Sequence, residues 1–133
     1  MSTQNTIDLI PGITHQTVLD YFHSLNAGQF HRTASLFAVH GVMYPPFESS
    51  IVGRDAIAKY LGQEANDLTA DPQSESMEPL DEEHTQLQIT GKAKNSWCSV
   101  NVRWVFMLNQ HQEILSVQIK LLTSPQELIK LRP

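Results

Sequence analysis

Apolar and polar positions follow two different periods along this chain, and the change from one to the other divides it roughly in half. Near the start, Val18, Tyr21, Phe22 and Leu25 recur at i, i+3, i+4 and i+7, the spacing that lines one face of a helix. Thr14 stands before them as an N-cap and Gly28 after them as a stop, so the pattern predicts an amphipathic helix. Phe30, Thr33, Ala34 and Phe37 form a second helical stripe that ends before Gly41, which predicts a helical hairpin. Between Val42 and Val52 the pairs Pro45-Pro46 and Ser49-Ser50 interrupt short extended pieces. Proline has no amide hydrogen to give to a ladder, so edge strands and a loop are expected there. Gly53 leads into a third helix with Ile57, Tyr60 and Leu61 on one face and Gly62 weakening its end. The stretch from Glu64 to Glu83 holds eight of the fourteen acidic residues, two prolines and no hydrophobic period, and reads as a solvated connector.

The second half alternates. Leu87, Ile89, Gly91 and Ala93 lie between polar neighbours; so do Val100, Val102, Trp104, Phe106 and Leu108, and then Leu115, Val117, Ile119 and Leu121. A period of two places each set on one face of a strand, so three long antiparallel strands are predicted. Ser124-Pro125-Gln126-Glu127 matches a capping box with proline at N1 ahead of Leu128, Ile129 and Leu131, which predicts a short tail helix over residues 124–133. Helices followed by a meander are an α+β order, in which helices cover one face of a curved, mostly antiparallel sheet and the curvature encloses a pocket.

Composition narrows the function. At 133 residues and 41% apolar content the chain suits one domain with a single core, spanning 1–133 with residues 1–12 as a flexible extension. The net charge is −5 and the nine basic residues are scattered, so no stripe is available to neutralise a nucleic-acid backbone. No apolar run reaches the length of a membrane span and the polar start lacks a signal-peptide pattern, so the expected location is the cytoplasm. Cys98 is the only cysteine, which excludes a disulfide within the chain and a multi-cysteine metal site; a cross-link through it would join two chains. The six histidines, His15, His23, His31, His40, His84 and His111, never fall three or four residues apart on a helix, so no metal is expected.

Ordered stretches carry a resemblance over residues 13 to 132. Thr17-Val18-Leu19-Asp20-Tyr21, Leu25-Asn26-Ala27-Gly28, Pro45-Pro46-Phe47, Ile51-Val52-Gly53-Arg54, Ile89-Thr90-Gly91-Lys92 and Leu121-Leu122-Thr123-Ser124-Pro125-Gln126-Glu127-Leu128 resemble the carotenoid-binding C-terminal domains of the orange carotenoid protein family. That resemblance implies an NTF2-like cone and an apolar tunnel for a ketocarotenoid of echinenone or canthaxanthin type. It implies that Tyr21 and Trp104 donate hydrogen bonds to the keto oxygen of the terminal ring, and that Phe106, Ile119 and Leu121 line the tunnel. Val100, Val102 and Val117 join them by strand parity. A phenol and an indole suit the task, because each offers an apolar body and one donor. The family's helical N-terminal domain has no counterpart in these residues, so the resemblance implies a carrier and not a two-domain photoswitch. Such a carrier forms a homodimer around one carotenoid, exchanges it with helical carotenoid proteins, touches a membrane transiently to take up pigment, and quenches singlet oxygen. Cys98 is a candidate for an intermolecular disulfide.

Two other classes compete. NTF2-like folds include enzymes of ketosteroid-isomerase type, which place a tyrosine on the first helix as Tyr21 is placed here. Proton transfer also needs a carboxylate base in the pocket. The segment Val42-Met43-Tyr44-Pro45-Pro46-Phe47 offers none before Glu48, and Asp20 lies about 100° around the helix from Tyr21. A dimerising protein-interaction module is the other alternative.

Overall fold

The computed structural model describes Ile10 and residues 12–122. Most of the expected N-terminal extension and all but the first residues of the Leu121–Leu128 motif, with the tail helix at 124–133, lie outside the described residues. The first described helix is α1 (Gln16–Asn26), whose buried positions include Val18, Tyr21, Phe22 and Leu25. The N-cap is His15, without a side-chain cap bond, and not Thr14. Thr14 is drawn elsewhere: its hydroxyl donates to Glu75 Oε2 at 2.7 Å and its amide to Glu75 Oε1 at 3.3 Å. After α1 the chain turns at Gly28, whose φ of 74° suits glycine. Helix α2 (Phe30–Ser35) follows, held to α1 by a buried hydrogen bond between the Ser24 and Thr33 hydroxyls at 2.6 Å.

The second helix is shorter than its apolar stripe predicts. Phe37 does not complete it but starts strand β1 (Phe37–Tyr44), where it is fully buried. Two-residue strand β2 (Ile51–Val52) comes next, then helix α3 (Arg54–Glu64), with Ile57, Ala58 and Leu61 buried. Strands β3 (Thr69–Pro79), β4 (Thr85–Lys94), β5 (Ser99–Leu108) and β6 (Ile114–Leu121) complete the described elements. They form one curved six-stranded sheet in the order β2-β1-β6-β5-β4-β3. Strands β3 to β6 are an antiparallel meander, and β1 joins it parallel to β6.

Three expectations are corrected here. The acidic stretch read as a connector contains β3, an edge strand paired with β4 from Thr69↔Lys94 to Pro79↔Thr85. Only Ala70 and Pro72 are buried on it, so it carries no hydrophobic period. Its charges suit an edge, where they discourage pairing with another chain. Pro72 sits at a register shift and Pro79 at the strand end, the places a sheet tolerates proline. Gly91 makes the shift possible: a Cβ there would stand 2.1 Å from the Asp71 carbonyl oxygen. Second, β1 is an interior strand, and the edge beside it is β2. Third, the alternation of β6 breaks at Leu115. A bulge between Met107 and Leu108 pairs Leu108 with Ile114, so Ile114 is the fully buried residue and Leu115 is only half-buried.

The inner faces of β4 and β5 follow the predicted parity, with Leu87, Ile89, Val102, Trp104, Phe106 and Leu108 buried. Helix α1 lies across them. Tyr21 meets Phe106 edge-on at 5.0 Å between ring centroids, and Phe22 meets Trp104 in the same way at 4.9 Å. Such edge-to-face pairs add about 0.5–1.5 kcal/mol each to the burial they accompany. Asn26 fixes the far end of α1 to β3 through two 2.8 Å bonds, one each way with the Ala70 backbone.

Candidate functional site

Between the inner sheet face and helices α1 and α3 the fold leaves a cavity of about 210 Å³. Helix α1 supplies Tyr21 and Leu25; β1 and the loop after it supply Met43, Pro45 and Pro46. Helix α3 and the turn beyond it add Tyr60, Leu61, Glu64, Ala65 and Leu68. The sheet floor is Ala93 from β4, Val100, Val102 and Trp104 from β5, and Ile119 and Leu121 from β6. Further along the same face α1 fills the space with its aromatic contacts to Phe106.

The polar side chains on this wall are Tyr21, Tyr60, Glu64 and Trp104. Glu64 is exposed at the rim, and Tyr60 is half-buried with its hydroxyl donating to Glu48 Oε2 at 2.8 Å. Tyr21 and Trp104 are 1% and 3% exposed, and among the described residues neither the phenol hydroxyl nor the indole N–H finds an acceptor in the chain. Nor is either group sealed in the core: the orphaned buried side-chain atom among the described residues is Arg103 Nε, on the outward-facing parity of β5. Two donors therefore face an apolar space that has room for an acceptor. Burial, and to a lesser degree the Tyr60 phenol, pushes the Tyr21 hydroxyl far above the ordinary phenol range, so it remains a neutral donor. The Tyr60 phenol is raised too, first by burial and then by its bond to Glu48 and the charges of Glu48 and Glu64.

Of the eight residues singled out for a ligand, six line the cavity: Tyr21, Trp104, Val100, Val102, Ile119 and Leu121. Phe106 and Val117 do not. Both are fully buried further along the inner face, where Phe106 packs under Tyr21 and Phe22, so they belong to the core behind the site. Their parity was right, but parity only assigns a face and says nothing about where α1 closes it. Leu25, Tyr60 and Leu61 lie on helix faces already read as apolar. Met43, Glu64 and Leu68 were missed, the first because β1 was read as an edge and the others because they sat in the presumed connector. Cys98 is half-buried and free. It lies in the β4–β5 turn and not on a strand, where Asn95 Oδ1 accepts from the Trp97 and Cys98 amides at 3.0 and 2.8 Å. Among the described residues no group of three or more His, Cys, Asp or Glu side chains is arranged to hold a metal, and no helix is long and apolar enough to cross a membrane.

Comparison with known proteins places these features in a wider set. The model of the nuclear transport factor 2 (NTF2) domain matches residues 13–121. The orange carotenoid-binding protein of Limnospira maxima is 37% identical over 97% of this chain, and that of Synechocystis 36% identical over 90%. The chain spans only 42% and 39% of those relatives, the part that forms their C-terminal domain. The solved orange carotenoid protein of Anabaena (Nostoc), which binds canthaxanthin, aligns at a TM-score of 0.81 with 39% identity over 92% of this chain and 40% of its own. A ketosteroid isomerase-like protein from Erwinia carotovora aligns at 0.65 with 11% identity, covering 81% of this chain and 92% of its own, a likeness of fold alone. From the helix hairpin through the last strand of the meander, this chain belongs to the NTF2 domain family.

Proposed function

We propose that the chain binds a ketocarotenoid of echinenone or canthaxanthin type by one terminal ring and serves as a non-enzymatic carrier for it. The observation that carries this reading is the pair of donors on the buried residues Tyr21 and Trp104, left without an acceptor among the described residues on a mostly apolar wall. Buried donors are almost always satisfied. A ligand that ends in a single acceptor on an apolar body satisfies both while covering Val100, Val102, Ile119 and Leu121. The relatives named above carry carotenoids, and the aligned Anabaena protein carries one with a keto group.

Size defines the binding mode. An engineered cavity of about 150 Å³ holds benzene, so 210 Å³ accepts one substituted six-membered ring and little more. A domain of this length has a radius of gyration of about 14 Å, so a whole carotenoid is about as long as the protein itself. The polyene therefore extends out of the cavity, where the half-buried wall residues Pro46, Tyr60 and Leu121 lie, and a second copy covers the other ring. This homodimer holds one pigment per two chains. It exchanges pigment with helical carotenoid proteins in the cytoplasm, touches a membrane transiently to load, and quenches singlet oxygen through the bound polyene.

The proton-transfer alternative lacks its base. Glu48 is committed to Tyr60, and Glu64 sits at the exposed rim. Expression in a ketocarotenoid-producing host followed by visible absorption and a pigment-to-protein ratio tests the carrier reading. A coloured protein with one pigment per two chains is the expected result. A colourless preparation that also ignores added ketocarotenoid refutes it.

A further inference from the structure

Apart from the exposed Glu64 at the rim, Tyr60 is the polar wall residue to which a bare keto ring gives no task. Its neighbour Glu48 reaches it from the loop that follows Pro45-Pro46, after Phe47 has taken a left-handed backbone with φ of 63°. A phenol has one proton to give and lone pairs to accept with. The proton of Tyr60 is held by Glu48 Oε2 at 2.8 Å, so this oxygen is left with acceptance only. Glu48 thus converts an ambivalent hydroxyl into an acceptor. The side chains lining the cavity then carry two unclaimed donors, on Tyr21 and Trp104, and one hydroxyl left only to accept, on Tyr60. The two phenols belong to side chains that line the same cavity.

A ring with a carbonyl alone leaves that acceptor unused. A ring with a hydroxyl on the carbon beside the carbonyl uses all three groups, because its own proton points at the remaining lone pair. We propose that Tyr60, held by Glu48, is a specificity-determining residue that selects terminal rings carrying a hydroxyl beside the keto group. This rests on the ketocarotenoid reading above and deepens it by naming the ring chemistry.

The test compares two pigments of equal length: canthaxanthin, with keto rings, and astaxanthin, which adds a hydroxyl beside each keto group. Dissociation constants are measured by visible absorption and tryptophan fluorescence quenching for the parent, Tyr60→Phe and Glu48→Ala. One additional net hydrogen bond corresponds to a preference of about 2- to 12-fold for astaxanthin in the parent. Tyr60→Phe should erase that preference, so that it binds the two pigments with equal affinity, and circular dichroism with a cooperative urea transition shows that the variant is folded. Glu48→Ala frees the Tyr60 proton and should reduce the preference as well. Equal affinities in the parent, or a preference that survives Tyr60→Phe or is unchanged in Glu48→Ala, overturn the role of this pair and leave the carrier reading standing. Failure of the parent to bind either pigment overturns both.

Discussion

Replacing Tyr21 and Trp104 by phenylalanine separates a ligand-facing pair from an ordinary structural pair. Tyr21 has no hydrogen-bond acceptor within the described residues, so removing its hydroxyl breaks no internal bond. The Tyr21→Phe protein without pigment should be as stable as the parent to within about 0.5 kcal/mol, because no hydrogen bond is lost and the hydroxyl borders open space. A structural tyrosine would instead lose about 1 kcal/mol of stability. Trp104→Phe keeps the edge contact with Phe22 but removes roughly 40 Å³ of ring, which at ~24 cal/mol per Å³ costs about 1 kcal/mol. Binding behaves differently. Each lost donor weakens the complex by about 0.5–1.5 kcal/mol, so the double variant should bind a ketocarotenoid about 5- to 150-fold more weakly. Its visible absorption should also move to the blue, since the keto oxygen loses the donors that draw charge along the polyene. Urea denaturation of the unloaded variants gives the stability terms, and pigment titration of both single variants and the double gives a cycle for their coupling. A double variant with parental spectrum and affinity would refute the assignment. A Tyr21→Phe loss above about 1 kcal/mol in the unloaded protein would show that the hydroxyl is structural.

Three further outcomes are expected. Tyr21 has its pKa raised in the folded state by burial, so above about pH 10 the unfolded chain loses a phenol proton that the folded chain keeps. Its contribution to stability is complete below that pH and is lost as pH rises further, at up to about 1.4 kcal/mol per pH unit, and Tyr21→Phe should flatten this alkaline slope in pH-dependent denaturation. An unchanged slope in the variant counts against a fully buried phenol. Gly91→Ala would drive a methyl into the Asp71 carbonyl oxygen and Pro72 Cα, both backbone, and should cost about 2–3 kcal/mol in urea denaturation; a loss below about 0.5 kcal/mol would contradict the close approach of β3 to β4. Cys98, half-buried in the β4–β5 turn beside the exposed Trp97, should give a covalent dimer on mild oxidation, seen on a non-reducing gel and absent in Cys98→Ser. A single monomer band from the oxidised parent ends that role.

Local geometry alone determined part of this protein. The 3.6-residue period of α1 and the two-residue period of β4 and β5 are written into the chain because backbone dihedrals fix where successive side chains point. From them Tyr21 and Trp104 could be placed on inward faces, and Leu25 and Leu61 on apolar ones. The ordered resemblance added the ring-binding role for the first two, a role that periodicity does not contain. What the sequence could not determine depended on contacts between distant residues. Strand β3 is invisible to a hydrophobic period, because an edge strand buries only Ala70 and Pro72 and is held by its backbone ladder to β4. The break at Leu115 comes from the register between β5 and β6, and the interior position of β1 comes from its parallel pairing with β6. The cavity wall was likewise decided in three dimensions. Phe106 and Trp104 share a face and a strand and both meet α1, yet Trp104 borders the cavity and Phe106 does not. The bond from Tyr60 to Glu48 joins a helix to a loop twelve residues earlier, a meeting that only the packing of α3 beside β1 and β2 brings about.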